Sequence, residues 1–127
     1  MRKLLLICCG GAAGTGARYL VAPGALRWLG PTFPFGTLTV NVVGSFLLGA
    51  IMKLGLEHGL IDPDLRVILA TGVMGGFTTY SSFNHETLGY LQRAQWLLGG
   101  GYLLATVLLC VAAGMAGIAT AAWLAAG

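Results

Sequence analysis

The segment from Thr78 to Phe83 concentrates side chains that could handle an anion. It reads Thr-Thr-Tyr-Ser-Ser-Phe, and its two aromatic residues, Tyr80 and Phe83, lie three apart on one helical face. Aromatic ring edges carry partial positive charge, so the pair could face an anion while the hydroxyl groups of Ser81 and Ser82 replace its water. Aromatic residues at this spacing are ordinarily core packing, but packing alone does not explain neighbouring hydroxyl groups, which are costly to bury.

The glycine pair before this segment predicts a break in a helix. Gly75 and Gly76 each cost a helix about 1 kcal/mol relative to alanine, and the hydroxyl groups that follow compete for backbone hydrogen bonds. A broken helix exposes backbone carbonyls that can bind a monovalent cation, and amides that can face an anion. We expect the break over residues 75–79.

A second polar row is predicted on the helix that contains Asn41. Thr37, Asn41 and Ser45 recur every four residues, so they share one helical face among apolar neighbours. The amide of Asn41 could instead join two helices, a contact whose measured coupling averages about 0.6 kcal/mol. We favour a pore-lining role, because the polar segment on the next span could converge with this row.

Few charged or metal-binding side chains accompany these polar sets. We expect Arg18 to extend to the lipid headgroups or to pair with the carboxylate of Glu86, rather than to bind an anion. His58 and His85 are isolated, and the three cysteines have no partner at metal-ligand spacing. The sequence therefore gives no indication of a zinc site or a disulfide framework.

The elements that carry these residues are predicted to be membrane helices. The chain has 127 residues, of which 57% are hydrophobic and 9% are charged, and its mean hydropathy is +0.84. Soluble domains rarely have this composition. One crossing needs about 20 apolar residues, so four crossings use most of the chain. We predict a single domain over residues 1–127, with spans at 4–21, 35–56, 63–92 (broken at 75–79) and 95–125.

Turn-forming and capping residues set the ends of these spans. Asp62 is typical of a helix N-cap and Pro63 of the first helical position. The connection after the first span is predicted from its turn formers, Pro23-Gly24, Gly30-Pro31 and Pro34. Three tryptophans lie near predicted span ends, as an aromatic belt would place them: Trp28, Trp96 and Trp123.

The basic residues are distributed almost evenly between the two sides of the predicted topology. The side with both termini has four, Arg2, Lys3, Lys53 and Arg66, and the opposite side has three, Arg18, Arg27 and Arg93. This difference of one does not fix an orientation, so we hypothesise that the chain inserts both ways and pairs as an antiparallel dimer. The scattered charges also exclude a nucleic-acid-binding stripe.

Small residues at four-residue spacing predict close contacts between helices. Gly10/Gly14 and Ala113/Gly117 are two such pairs, and Ala12/Gly16 and Ala13/Ala17 are two more. Contacts of this kind occur both within a subunit and between subunits, and the spacing does not distinguish them.

Three blocks of the sequence together resemble the Fluc (CrcB) fluoride channels. They read GAAGTGARY at 11–19, FGTLTVNVVGSF at 35–46 and GGFTTYSSF at 75–83, and the match covers the whole chain. The resemblance implies an all-α membrane protein of four helices with a broken third helix. It also implies a dual-topology antiparallel homodimer in the lipid bilayer, with two fluoride pores and one central sodium ion, which agrees with the charge distribution.

The resemblance also implies roles for individual residues. The backbone carbonyls of Gly75 and Thr78 would bind the structural sodium ion. Tyr80 and Phe83 would form the aromatic box, and Asn41 would hydrogen-bond the permeating ion.

Four further residues complete the implied path. Ser81 and Ser82 would belong to its polar track, Tyr102 resembles the track tyrosine of the family, and Glu86 resembles its vestibule carboxylate. Tyr80 stands where the common pattern has phenylalanine. Its ring edge would face fluoride, or its hydroxyl group would add a donor or narrow the path.

The function implied by the resemblance is passive export of cytoplasmic fluoride through the plasma (inner) membrane of a prokaryote, with no enzymatic chemistry. The alternative is a small dual-topology proton-coupled exporter, which needs a titratable carboxylate in the middle of a span, usually the first. No such carboxylate is present in the middle of a span. Glu57, Asp62 and Asp64 fall at or near span ends, and only Glu86 could lie within the lipid.

Overall fold

The computed structural model describes all 127 residues, and every regular element in it is a helix. In chain order the elements are α1 (Arg2–Leu29), α2 (Phe35–Leu56), α3 (Pro63–Val67), a π-helical segment (Ile68–Met74), α4 (Gly75–Phe77), α5 (Tyr80–Gln92) and α6 (Trp96–Ala126). Helices α1, α2 and α6 are each long and apolar enough to cross a membrane. The predicted third span consists of the shorter elements from α3 to α5.

Most of the apolar side chains face outward. Only 18 of the 127 residues are buried, although 57% of the chain is hydrophobic. A soluble monomer rarely exposes so much apolar surface, whereas lipid accommodates it. The three tryptophans are exposed near helix ends, at Trp28, Trp96 and Trp123.

The first helix is longer than the sequence predicts. The turn predicted at Pro23-Gly24 is wrong, because α1 continues through Pro23 to Leu29. Gly30, with a φ of 96°, caps its C-terminal end. Membrane helices tolerate an internal proline, since neighbouring groups can satisfy the backbone that it frees. Helix α2 covers the same residues as the predicted second span, and α6 is shifted by one residue from the predicted fourth.

The break in the third span is shorter than predicted. Gly75 and Gly76 are helical, and only Thr78 and Thr79 are extended. The helix stops at Thr78, whose amide and hydroxyl both donate to the Met74 carbonyl, at 3.0 and 2.8 Å. The π-helical segment Ile68–Met74 precedes this stop, and such segments are frequent at functional sites. Gly76 instead allows α1 to pack closely, because a Cβ there would lie 2.3 Å from the Gly11 carbonyl oxygen of α1.

Polar contacts secure the outer ends of the helices. The predicted N-cap is confirmed, because the Asp62 carboxylate accepts hydrogen bonds from the amides of Asp64 and Leu65, at 3.0 and 3.2 Å. At the end of α2, Lys53 donates to the carboxylate of Glu57, and this hydrogen bond lowers the pKa of Glu57.

Several of the small-residue pairs join helices of the same chain. Helix α1 packs on the π-helical segment and α4 at Gly10 and Gly14. Helix α2 packs on α6, where a Cβ at Gly117 would lie 2.0 Å from the Phe46 carbonyl oxygen. By contrast, Ala12 and Gly16 remain exposed on α1. The within-subunit interpretation therefore holds for Gly10, Gly14 and Gly117.

We expect Gly14→Ala to destabilise the fold and Gly16→Ala to leave it intact. A Cβ at Gly14 would lie 2.0 Å from the Val73 carbonyl oxygen, so α1 would have to move away, whereas nothing lies within 4 Å of a Cβ at Gly16. Overpacking typically costs about 1–3 kcal/mol, and alanine in an open helical position gains up to about 1 kcal/mol. Thermal unfolding in detergent measures both changes, and equal midpoints for the two variants would contradict the packing.

Candidate functional site

Asn41 holds the break in the third span. Its Nδ2 donates to the Thr79 carbonyl at 3.1 Å, and its Oδ1 accepts from the Thr79 amide at 2.7 Å. Both residues are buried. In a continuous helix the Thr79 amide would donate to the Gly75 carbonyl, so Asn41 removes that carbonyl's usual partner. Asn41 thus joins two helices, and its side chain also borders the groove described below.

Arg18 binds the break rather than an acidic side chain. Its Nη1 donates to the Thr78 carbonyl at 3.0 Å. The expected pairing of Arg18 with Glu86 is wrong, because both oxygens of that carboxylate are held by other donors. An extended peptide inside a helix bundle offers a free carbonyl, and a guanidinium with five N–H groups is well suited to reach it. One-dimensional spacing gives no sign of this contact.

Thr79 starts the helix that follows the break. Its Oγ1 accepts from the Ser82 amide at 3.2 Å, which makes Thr79 the N-cap of α5. The same hydroxyl donates to Ser82 Oγ at 3.0 Å and lies 3.3 Å from Ser81 Oγ. The two serines therefore meet at the N-terminus of α5, where backbone amides without helical partners favour negative charge.

Aromatic rings form a chain that runs inward from the break. Tyr80 and Phe83 lie edge to face with centroids 5.7 Å apart, and Phe83 makes a similar contact with Tyr102 at 5.2 Å. Tyr102 is fully buried and also contacts Phe33 at 5.2 Å and Tyr90 at 6.4 Å. Phe83 is buried, whereas the Tyr80 side chain is 77% exposed. Phe83 is consequently fixed by its neighbours, and Tyr80 is the open end of the chain.

Glu86 lies at the inner end of this aromatic chain. Thr37 Oγ1 donates to its Oε1 at 2.7 Å, and the Tyr102 hydroxyl donates to its Oε2 at 2.6 Å. Three helices, α2, α5 and α6, therefore meet at one carboxylate. Two donors fix its orientation and share its negative charge.

A groove of about 350 Å³ runs between α2, the break and α6. Asn41, Tyr80 and Phe83 line it, so the structure brings together three residues that the sequence analysis placed on the path. Thr106 also lines it and was missed: its Oγ1 is buried and has no hydrogen-bond partner. Its position four residues after Tyr102, on the same face of α6, is the signal that could have identified it.

A second cavity of about 290 Å³ opens on the other side of Glu86. His85, Glu86 and Tyr90 of α5 line it, with Arg93 just after that helix. Its other wall is formed by Leu26 near the end of α1 and by Pro31, Phe33 and Pro34 of the α1–α2 connection. The Arg93 guanidinium lies 5.6 Å from the centre of the Tyr90 ring, which holds this cation at the mouth. Phe83 borders the groove, Glu86 borders this cavity, and Tyr102 contacts both residues.

The backbone carbonyls at the break fit the chemistry of an alkali cation. The Gly75 carbonyl has no helical donor, because the Thr79 amide donates to Asn41 instead. The Thr78 carbonyl accepts one hydrogen bond, from Arg18, and its second lone pair stays free. Gly75 is exposed, with nothing within 4 Å of the position of a Cβ, so a second chain could approach there. Neutral carbonyl oxygens of this kind are typical ligands for sodium and potassium ions.

Comparison with known proteins identifies the family. The profile described as "CrcB-like protein, Camphor Resistance (CrcB)" matches residues 5–118. The chain belongs to this family. It is 57% identical to a protein of Anaeromyxobacter dehalogenans over 98% of this chain and 99% of that one, and 47% identical to one of Sorangium cellulosum over the full length of both. A protein of Caulobacter vibrioides is 48% identical over 95% of this chain and 96% of its own.

All three relatives are named "Fluoride-specific ion channel FluC". The family is thus one of ion channels and not of enzymes, and the helices are those of a multi-pass membrane protein. The resemblance drawn from the three sequence blocks is confirmed.

Proposed function

We propose that this protein is a passive channel through which fluoride leaves the cytoplasm. The observation that supports it most directly is the groove, where buried Phe83, exposed Tyr80 and Asn41 meet beside an unpartnered Thr106 hydroxyl. The relatives named as fluoride-specific channels identify the anion for which such a groove would be built. The bacterial sources of those relatives favour the plasma (inner) membrane of a prokaryote.

The groove offers fluoride the groups that would replace its water. Asn41 Nδ2 carries two hydrogens and uses one on Thr79, so the other can meet an anion. The Thr106 hydroxyl can donate as well, and the rings of Tyr80 and Phe83 can present their positive edges. Fluoride is the smallest and most strongly hydrated halide, so it gains most from closely spaced donors in a narrow path.

Glu86 would lie at the far end of the path, where hydrogen bonds to its carboxylate would reduce its repulsion of the anion. Its two oxygens accept from Thr37 and Tyr102, so these donors share part of its negative charge. The ion would leave past this carboxylate into the second cavity, where Arg93 supplies positive charge. Ser81 and Ser82 do not line the groove; they would belong to the polar track through their contacts with Thr79, at the N-terminus of α5.

We place this path in an antiparallel homodimer of dual topology. The groove is open along one side of the chain, where no helix of the same chain covers it. A second copy inserted in the opposite orientation would close the groove and create a second, equivalent path. Reporters fused to the C-terminus should be active on both sides of the membrane, and activity on one side alone would exclude dual topology.

A sodium ion would join the two copies at their breaks. The carbonyls of Gly75 and Thr78 and their counterparts in a partner would supply four neutral oxygens, and the ion would hold the two extended segments together. Replacing sodium by N-methyl-glucamine should lower the thermal midpoint of the purified dimer. A midpoint that is independent of sodium would remove the ion from the proposal.

Fluoride efflux from proteoliposomes tests the proposed function. We expect liposomes loaded with potassium fluoride to release it when potassium flow is permitted, and liposomes loaded with chloride to retain it. A fluoride-selective or chloride-selective electrode follows each ion. Equal chloride efflux would contradict selectivity, and fluoride efflux that required a proton gradient would favour the alternative of a proton-coupled exporter with Glu86 as its titrating group.

Substitutions of Tyr80 test whether its ring or its hydroxyl group is needed for fluoride efflux. We expect Tyr80→Phe to retain fluoride efflux, because the ring edge that faces the groove is preserved. Tyr80→Ala should lower efflux, since it removes the ring. The exposed Leu88, on the same helix, serves as the control position for alanine substitution. Loss of efflux in Tyr80→Phe would show that the hydroxyl group is the essential donor.

A further inference from the structure

Cys110 borders the same groove as the aromatic pair. It lies on α6, one turn after Thr106 and two turns after Tyr102, and its side chain is partly exposed. The groove wall around it also includes Val107, Val111 and Leu48. Thiols in apolar spans are usually inert packing groups, but this one faces an open space of about 350 Å³.

Thr106, one helical turn before Cys110, has a hydroxyl group for which the chain supplies no hydrogen-bond partner. Thr106 is only 6% exposed, and its buried Oγ1 makes no hydrogen bond within the chain. A buried hydroxyl without a partner costs free energy unless a ligand or water satisfies it. Residues four apart on a helix have Cβ atoms about 5–6 Å apart, so one small ligand could touch both Cys110 and Thr106.

We propose that Cys110 and Thr106 form a binding site for a soft, thiophilic metal cation such as Hg²⁺. The thiol loses its proton to water, and a sulfur lone pair forms the bond to the metal, with no change in oxidation state. Sulfur ligands favour such soft cations over the hard ions of the medium. The metal keeps a second position for water, and this water hydrogen-bonds Thr106 Oγ1. The adduct lies in the groove and obstructs it.

The other two thiols do not share this environment. Cys8 and Cys9 are on α1, are exposed, and do not border the groove. A metal bound there would lie on the outer surface of the chain. The same cation should therefore have different consequences at Cys110 and at the α1 cysteines, which provides matched controls within one chain.

The experiment uses the full-length C8S/C9S variant, in which Cys110 is the only thiol, and C8S/C9S/C110S as its control. Mercuric nitrate is added to proteoliposomes, and the metal bound per chain is measured by intact mass. Fluoride efflux is recorded before and after addition, with each variant compared with its own untreated rate. Dithiothreitol is then added to remove the metal.

We expect one mercury per chain and loss of efflux in C8S/C9S, both reversed by dithiothreitol, and neither effect in the triple variant. Thr106→Val, made in the C8S/C9S background, should raise the mercury concentration needed for half-occupancy. An unlabelled Cys110, or an unchanged half-occupancy in Thr106→Val, would overturn the site. The obstruction rests on the proposed function, whereas labelling does not. Labelled protein with undiminished efflux would therefore overturn the obstruction alone, and absence of efflux before mercury would count against the channel instead.

Discussion

Phe83→Ile is expected to abolish fluoride efflux while leaving the protein folded and assembled. Phe83 is the buried member of the aromatic pair, with Tyr80 at 5.7 Å on one side and Tyr102 at 5.2 Å on the other. Isoleucine retains an apolar side chain but has no ring edge with partial positive charge. The anion would then meet an apolar wall at this position, with no group there to replace its water.

The measurement is initial efflux in proteoliposomes, together with size-exclusion chromatography of the purified variant. Phe46→Ile is the matched control, because Phe46 lies on α2 and does not border the groove. Efflux should persist in Phe46→Ile and be lost in Phe83→Ile at an unchanged elution volume. Normal efflux through assembled Phe83→Ile would remove this ring from the ion path.

The membrane character and the polar sets could be predicted because they depend on local composition. Runs of apolar residues about 20 long indicate crossings whatever their partners, and the four-residue recurrence of Thr37, Asn41 and Ser45 defines a face by helix geometry alone. The aromatic pair Tyr80 and Phe83 is likewise visible from its spacing. These features need no knowledge of which helix packs on which.

The details of the break could not be predicted, since they depend on contacts between distant segments. Gly75 and Gly76 suggested an open backbone, yet Gly76 allows α1 to approach, and the chain is extended only at Thr78 and Thr79. Arg18 reaches Thr78 across 60 positions of sequence. Similarly, the unpartnered state of Thr106 depends on what the other helices leave unoccupied.

The break also explains why an asparagine is present at a position surrounded by apolar residues. An extended peptide buried among helices has an amide and a carbonyl that no helix can satisfy. A primary amide supplies one donor and one acceptor in the right relation, and it retains a second N–H. One side chain can therefore stabilise the irregular backbone and still offer a donor to the groove.

Asn41→Leu is expected to lower stability and abolish efflux together. Leucine has a similar volume but leaves the Thr79 amide and carbonyl, now bonded at 2.7 and 3.1 Å, without partners. Each buried group left unsatisfied costs about 1–3 kcal/mol, well above the ~0.6 kcal/mol average for polar contacts between membrane helices. The higher estimate applies here because Thr79 is buried and extended, and in that conformation its amide makes no helical hydrogen bond.

Two further variants separate anchoring from ion contact. Asn41→Asp keeps an acceptor for the Thr79 amide but adds negative charge to the groove, so it should lose efflux with a smaller drop in thermal midpoint than Asn41→Leu. Ser45→Ala also alters the groove wall, but its hydroxyl bonds only the Asn41 carbonyl of its own helix, at 2.7 Å, so its midpoint should hardly change. If Asn41→Leu were as stable as Ser45→Ala, the break would have to be held by Arg18 on the Thr78 carbonyl, and Asn41 would be left as a contact for the ion alone.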